Sequence, residues 1–308
     1  MILTVTLNPM LDKTVVVDRL RAGTIHRARA MSVIVGGKGV NVSRQLLRLH
    51  CRTVATGLAG GETGRQLRRL LKEEGIPERF VRIAGQTREG VTYREDTGRT
   101  TGIFEPPHEV RGAEALELRA SCRRMLSRAS WLVCSGSSPC AQTDNLFKQL
   151  LDDARSLGVP TALDSYGPAL VRALKSRPTI LKANRQELEA TFALRLRTVR
   201  EMKAFLADTI DGGTAICVVT DGPRPVYAAA EGCLYRIRPP ATRSVNATGS
   251  GDSMLAGILA ALEKRWAVER ALAYCVAAGV ANASVWAVAC ARPSTIDHIA
   301  SAVDVEIL

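Results

Sequence analysis

Ten residues near the C-terminal end carry the densest chemistry in the chain: Val245-Asn246-Ala247-Thr248-Gly249-Ser250-Gly251-Asp252-Ser253-Met254. A glycine-flanked turn runs straight into a helical pattern. Met254, Leu255, Ile258, Leu259 and Leu262 recur at one-face spacing, and Lys264 and Arg265 close the run. Gly249, Ser250, Gly251 and Asp252 therefore fall at a helix N-terminus. Unpaired amides and the positive end of the helix dipole collect there, and glycines let the backbone approach a ligand closely, which makes a ready anion site. In a pure phosphate cradle a carboxylate would repel the ligand. It makes sense if Asp252 takes a proton from a hydroxyl while the amides of Gly249, Ser250 and Gly251 hold the charge developing on a phosphoryl group. Taken alone, the same residues are explained as well by a helix cap after a glycine turn. The helix end also favours the charged carboxylate, so Asp252 is expected to be ionised at neutral pH.

A second glycine-rich loop, Gly36-Gly37-Lys38-Gly39-Val40-Asn41-Val42-Ser43, precedes an amphipathic run from Arg44 to His50. It places a lysine in a loop that opens a helix, another anion-compatible arrangement. The Walker spacing is absent. By itself such a loop is more often a plain turn, and Lys38 more often a solvated charge. Asp12, in Asn8-Pro9-Met10-Leu11-Asp12, falls just past a first strand, where open α/β sheets place ligand contacts.

The elements that must hold these loops follow from periodicity. Thr53 to Leu58 reads as a strand, and Gly60-Gly61-Glu62-Thr63-Gly64 opens a basic helix to Glu74. Residues 13–35 and 88–104 each carry strand signals without helices among them and are expected to form one small sheet outside the main body. From residue 112 the rhythm becomes strand–helix alternation. Strands at Trp131–Cys134, Pro160–Asp164, Thr179–Leu181 and Ala215–Thr220 are each followed by polar or glycine-bearing segments. Alternation implies a parallel sheet covered on both faces, and those segments share its C-terminal edge with Asp252. Helices follow at about 252–264, 267–287 and 295–302.

Composition sets the class. The 308 residues are 46% hydrophobic and 23% charged, ordinary values for a globular protein, and no run has the length of a membrane span. The apolar N-terminus is short and is cut by Asn8-Pro9, so it reads as a strand, and a cytoplasmic location is expected. Eight scattered cysteines without a Cys-x-x-Cys pair point to reduced thiols and away from zinc. The net charge of +12 fits an arginine-rich surface first and steering of phosphate ligands second. Only 4% of residues are aromatic and no dense basic block stands out, which argues against nucleic acid.

In combination these segments resemble the ribokinase-like (PfkB) carbohydrate kinases over nearly the whole chain. The ordered set is Asn8-Pro9-x-x-Asp12, Gly36 to Ser43, Ser135-Gly136-Ser137, Lys182-x-Asn184-x-x-Glu187 and Val245 to Asp252. The Thr-Leu-Asn-Pro opening and the Gly-Gly-Lys-Gly loop look most like the branch acting on ketohexose monophosphates. The resemblance implies one kinase domain over 1–308. Its fold would be a three-layer α/β/α sandwich with a mostly parallel sheet and a lid from 13–35 and 88–104, which in relatives often carries a homodimer interface. It implies ATP and Mg²⁺ as cofactors and a bisphosphate product, with fructose 1-phosphate first and tagatose 6-phosphate or fructose 6-phosphate as alternatives.

The implied roles are as follows. Asp252 is the base, and Gly249, Ser250 and Gly251 are the anion hole. Asp12, Gly37 and Asn41 bind sugar hydroxyls. Lys38 and Arg88 hold the substrate's phosphate, with Ser137 nearby. Lys182, Asn184, Thr220 and Gly222 line the nucleotide side, and Asn184 and Glu187 place the metal through water. The chain departs from the pattern at Ser250, where alanine is usual, and at Ala183, where proline is usual. Ser138-Pro139-Cys140 and Thr220-Asp221-Gly222-Pro223, the latter in the segment that would face the nucleotide, also depart from it.

Overall fold

The computed structural model describes residues 1–308. The chain opens with β1 (Ile2–Thr6), all of it buried, and leaves the central layer at Asn8-Pro9 for β2 (Met10–Val17) and β3 (Ala30–Gly36). It returns through α1 (Lys38–Arg48), β4 (Thr53–Gly60), α2 (Gly61–Glu73) and β5 (Val81–Ile83), then leaves again for β6 (Arg88–Glu95) and β7 (Thr100–Phe104). Alternation follows: α3 (Gly112–Leu126), β8 (Trp131–Ser135), α4 (Leu146–Ser156), β9 (Thr161–Asp164), α5 (Gly167–Ala173), β10 (Ile180–Asn184), α6 (Arg185–Phe192), α7 (Val199–Asp211) and β11 (Ile216–Thr220). The chain ends with β12 (Val226–Ala230), β13 (Cys233–Arg238), α8 (Ser250–Glu263), α9 (Val268–Ala283), α10 (Pro293–Ala300) and β14 (Asp304–Ile307).

Ten strands form the central sheet in the order β14-β13-β12-β11-β10-β9-β8-β1-β4-β5. From β11 to β5 every pairing is parallel; β12, β13 and β14 add on antiparallel. The strands are apolar on both faces, as a covered parallel sheet requires. In β8, Val133 joins the core under α1, α8, α9 and α10, while Leu132 and Cys134 join the core under α3 to α7. This is the expected three-layer α/β/α sandwich with a mostly parallel sheet.

Four strands form a second sheet in the order β3-β2-β6-β7. It is tethered by Asn8-Pro9, Gly36-Gly37 and the start of β6. At its base Leu11 and Val35 pack against Val40 of α1 and Leu67 and Leu71 of α2. All eight cysteines are free, and no helix is long and apolar enough to cross a membrane.

Several boundaries differ from expectation. The helix after the second glycine loop starts at Lys38 and not after Ser43, so Lys38 and Asn41 are helical. Strand β10 runs on to Asn184. Strands β12 and β13 were not anticipated; their link, Glu231-Gly232, has φ of 51° and 76°, the two positive values of a tight hairpin turn. The closing strand β14 was also unexpected. It covers the exposed edge of β13, where Arg236 forms a bidentate pair with Glu306 at 2.7 and 3.0 Å.

Candidate active site

The strands β1, β8, β9, β10 and β11 are parallel and neighbouring, so their C-terminal ends share one edge. That edge presents Asn8, Ser137, Asp164, Asn184 and Thr220. The N-termini of α1 and α8 are turned toward it by contacts between the two helices and their neighbouring strands.

Local backbone chemistry builds the two loops. Gly37 caps α1 at φ 124°, and a Cβ there would approach Thr6 Cγ2 to 2.8 Å. Gly249 caps α8 at φ 78°, and a Cβ there would lie 2.5 Å from Val288 Cγ1. On Gly251 a Cβ would reach 2.4 Å from Lys182 Nζ. The positive φ at Gly37 and Gly249 favours glycine, and a side chain at Gly251 would have to displace the Lys182 ammonium; the result is a narrow cradle of helix-end amides beside that ammonium group.

The back of the cradle is pinned by a residue that sequence reasoning missed. Asn282 of α9 is fully buried. Its Nδ2 donates to Thr248 O at 2.9 Å and to Ser250 Oγ at 3.0 Å, and its Oδ1 accepts from Ala289 N at 2.6 Å. The Ser250 side chain is therefore held from behind, and its amide donates to Ala247 O at 3.1 Å within the turn. A lone asparagine in the apolar run Ala281-Asn282-Ala283 was the available signal. Asn246 adds an Asx turn, accepting from Thr248 N at 3.0 Å and donating to Trp286 O at 2.9 Å.

Asp252 lies in the first turn of α8 and is 6% exposed. Its Oδ2 accepts from Asn41 Nδ2 at 2.8 Å, which leaves Oδ1 free of protein partners. Asn41 is oriented in turn by Arg44, whose Nη1 donates to Asn41 Oδ1 at 2.7 Å. Burial and the charge of Asp164 push the Asp252 carboxyl up to about 6, against the opposing pull of Lys182, Lys38 and Asn41. It stays mostly ionised at neutral pH, as expected, but it is a stronger base than the helix dipole alone implied.

Around it runs an alternating charge network. Asp164, fully buried at the end of β9, accepts from Lys38 Nζ at 2.9 Å and from Lys182 Nζ at 2.7 Å. Lys38 Nζ also donates to Glu187 Oε1 at 2.7 Å and sits 5.3 Å from the centre of the Tyr166 ring. Burial alone would raise the Asp164 carboxyl, but the two lysines outweigh it and hold it below the usual carboxylate range. Burial likewise works against the Lys38 ammonium, and Asp164, Glu187 and Asp252 more than compensate. Two ammonium groups thus face three carboxylates. This placement revises the expectation for Lys38: it is not a free loop cation awaiting a phosphate, because two acids already hold it.

Arg88 has no such partner. Its Nε is buried without a hydrogen bond, and burial lowers the pKa of the guanidinium. Asp12 Oδ1 is also buried and unpartnered, and burial raises its pKa. Arg88 opens β6 opposite Met10 of β2, two residues from Asp12. Ser137 Oγ accepts from Asn8 Nδ2 at 3.1 Å on the same side.

On the other side, Asn184 and Glu187 form a capping box on α6. Asn184 Oδ1 accepts from Gln186 N at 2.8 Å and Glu187 N at 3.3 Å, and Glu187 Oε2 accepts from Asn184 N at 3.4 Å. No three acidic, histidine or cysteine side chains cluster as a metal cage. Glu187 already accepts from Lys38 and from the Asn184 amide, so a hydrated Mg²⁺, which keeps most of its waters, would be met here through those waters. Thr220 is buried at the end of β11, and Gly222 turns at φ 60° beside Asp221, which pairs with Arg185 and Arg224. Both flank the same edge, two strands from Asp164.

The arrangement offers an anion cradle, a base of raised pKa beside it, and a separate arginine without an acidic partner at the start of β6. Known proteins share the frame. The model of the pfkB family carbohydrate kinases matches residues 6–292. A tagatose-6-phosphate kinase of Staphylococcus epidermidis is 30% identical over 286 residues, 92% of each chain. Phosphofructokinase-2 of Escherichia coli, solved with potassium, superposes with a TM-score of 0.92 at 26% identity over 98% of both chains. The same enzyme with fructose-6-phosphate gives 0.89 at 26% identity over the same share. A match from the end of β1 to the residue before α10, on a chain whose glycine cradle and buried aspartate are in place, puts this protein in the pfkB family of carbohydrate kinases.

Proposed function

We propose that the chain transfers the γ-phosphoryl group of ATP to a hydroxyl of a ketohexose monophosphate, giving a bisphosphate and ADP, with Mg²⁺ bound to the nucleotide. One observation carries the reading: Asp252 is buried at the mouth of the α8 cradle, raised to about 6, and has one oxygen free of protein partners. The substrate hydroxyl oxygen forms the new bond to phosphorus as the bond from phosphorus to the bridging β-γ oxygen breaks. The hydroxyl proton passes to Asp252 Oδ1, and ADP leaves with the electron pair. Amides of the Gly249-Ser250-Gly251 turn would hold the charge on the transferring group, that of Ser250 after leaving Ala247 O, and Lys182 lies beside Gly251. Mg²⁺, placed through water near Glu187 and Asn184, would neutralise charge on the nucleotide phosphates. Thr220 and Gly222 border the nucleotide, while Asp12, Gly37 and Asn41 take sugar hydroxyls.

With Lys38 engaged by Asp164 and Glu187, the phosphate already on the sugar falls to Arg88, with Ser137 and Asn8 nearby. That unpaired cation favours a phosphorylated sugar over a free sugar or nucleoside. Fructose 1-phosphate remains the first candidate from the loop motifs. Tagatose 6-phosphate and fructose 6-phosphate gain support from the relatives' substrates. The small sheet closes over this side as a lid and joins two copies into a homodimer, a reading supported by exposed Met31, Ile103 and Phe104 on its edge strands.

A coupled ADP-release assay over those three ketohexose phosphates, fructose, tagatose and a nucleoside tests the reading. At least one ketohexose phosphate should exceed every unphosphorylated acceptor by tenfold or more in kcat/KM. A flat panel, or a preference for a free sugar, removes it.

A further inference from the structure

The small sheet is anchored to the body at its base, where Leu11 and Val35 pack against α1 and α2, and it meets the body again at its far end. Arg94 lies six residues beyond Arg88 in β6, about 20 Å along the strand at ~3.3 Å per residue. Even spacing puts both arginines on one face of the sheet. The parallel register, Arg88 opposite Met10 and Gly90 opposite Asp12, puts Asp12 on that face too. Lys13 of β2 pairs with Glu89, but Arg94 makes no ion pair. Its guanidinium instead lies over the ring of Trp286, with Cζ 3.9 Å from the ring centre.

Trp286 follows α9 and, like Arg94, is half-buried. Its carbonyl accepts from Asn246 Nδ2 at 2.9 Å, and Asn246 Oδ1 holds Thr248 N at 3.0 Å. Just before it, Ala283 O accepts from Val245 N at 2.7 Å and from Asn246 N at 3.1 Å. The indole is thus mounted on the backbone that leads into the α8 cradle. Trp286 takes part in that mounting through its carbonyl, which leaves the ring for the arginine. We infer that Arg94 is a positioning residue: stacked on Trp286, it latches the far end of the small sheet to the cradle loop and so fixes Asp12 and Arg88 over the sugar side. The kinetic consequence rests on the function proposed above; the latch itself does not. A sheet released at this end pivots about its base, and a site assembled for only a fraction of the time binds more weakly by that fraction.

The test uses R94M, which keeps the stem without the cation, R94K, W286L and the double variant R94M/W286L. The first readout needs no substrate: amide hydrogen exchange at residues 14–17 of β2 and 92–95 of β6. A half-buried guanidinium–indole stack corresponds to roughly 5- to 30-fold, so R94M and W286L should each speed exchange there by that factor. The double variant should go no further than the larger single effect, and exchange in α8 and α9 should hold. KM for the best ketohexose phosphate should rise by a similar factor in R94M, while ATP binding without sugar stays within about twofold. R94K should recover part of the loss, since an ammonium keeps the charge but not the planar stack. Trp286→Phe, with a smaller ring, replaces W286L in the cycle if W286L does not fold. Unchanged exchange in R94M overturns the inference, as do additive effects in the double variant, faster exchange throughout the body or loss of folding in R94M. Faster exchange with an unchanged KM for the sugar phosphate also overturns the positioning role. Should the wild type phosphorylate no ketohexose phosphate, the parent reading fails, and the exchange cycle still decides the latch.

Discussion

Replacing Asp252 with asparagine separates a base from a cap. The amide keeps the shape, and Asn41 Nδ2, now 2.8 Å from Asp252 Oδ2, can still donate to the amide oxygen. What disappears is one negative charge and the proton acceptor beside the cradle. Loss of a general base slows turnover by ~10²–10⁴-fold, so kcat should fall at least that far while nucleotide binding persists. Stability should move the other way. The folded state raises the Asp252 carboxyl to about 6, so it binds that proton more tightly than the unfolded chain. Stability is then lost as pH rises from the ordinary carboxyl range through six. Above that the full cost is present, on the order of 3 kcal/mol at most. Asparagine carries no such cost. It also leaves two ammonium groups facing two carboxylates in place of three. Asp252→Asn should therefore melt at or above the wild type at pH 8, and the advantage should vanish near pH 4. Steady-state kinetics and thermal melts on this variant provide the assay. A protein that keeps more than a tenth of its kcat, or melts clearly lower at pH 8, refutes the assignment.

Three further outcomes follow from the same geometry. Wild-type kcat should fall about tenfold between pH 8 and pH 5, because a base with a pKa near six is then only about a tenth ionised. Substrate phosphates titrate in that range too, so the residual activity of Asp252→Asn should lack the fall, and its persistence would assign it to the substrates. Lys38→Met leaves Glu187 unpaired and Asp164 with Lys182 alone. It should cost ~3 kcal/mol at pH 7 and less as pH falls and the acids protonate, read by denaturant melts; equal losses at pH 7 and pH 4 would contradict the network. Asn282→Ala orphans a buried amide and a carbonyl, so it should cost roughly 2–4 kcal/mol and lower kcat about tenfold through a displaced cradle; an unaltered melting curve would show that the loop is held by other contacts.

Much of this site is readable before folding because its loops announce themselves. Gly249 to Asp252 and Gly36 to Asn41 pair glycines with a charged residue at a helix start, and periodicity fixes the helix behind each. The start of α1 was misplaced because Gly39 and two valines are poor helix formers; packing of the turn against Thr6 overrides that preference. The hairpin after β11 escaped because Val226-Tyr227-Ala228-Ala229-Ala230 is alanine-rich and lacks a strand's alternation. The pairing of Lys38 with Asp164 and Glu187 could not be read, since the three sit on α1, β9 and α6 and meet only through the order of the strands. Asn282 was invisible for the same reason: one polar side chain in an apolar helix has no local signature. The raised pKa of Asp252 depends on burial and on Asp164, neither of which spacing along the chain reveals.

The central claim is that phosphorus moves from ATP to a sugar that already carries a phosphate. Phosphorus NMR on a reaction of the purified protein with ATP, Mg²⁺ and each ketohexose monophosphate follows that transfer directly. The account predicts ADP and a new sugar-phosphate ester resonance growing in equal amounts, with the original ester retained on the same sugar. ATP that stays intact with every ketohexose phosphate, or that yields only inorganic phosphate, would contradict it.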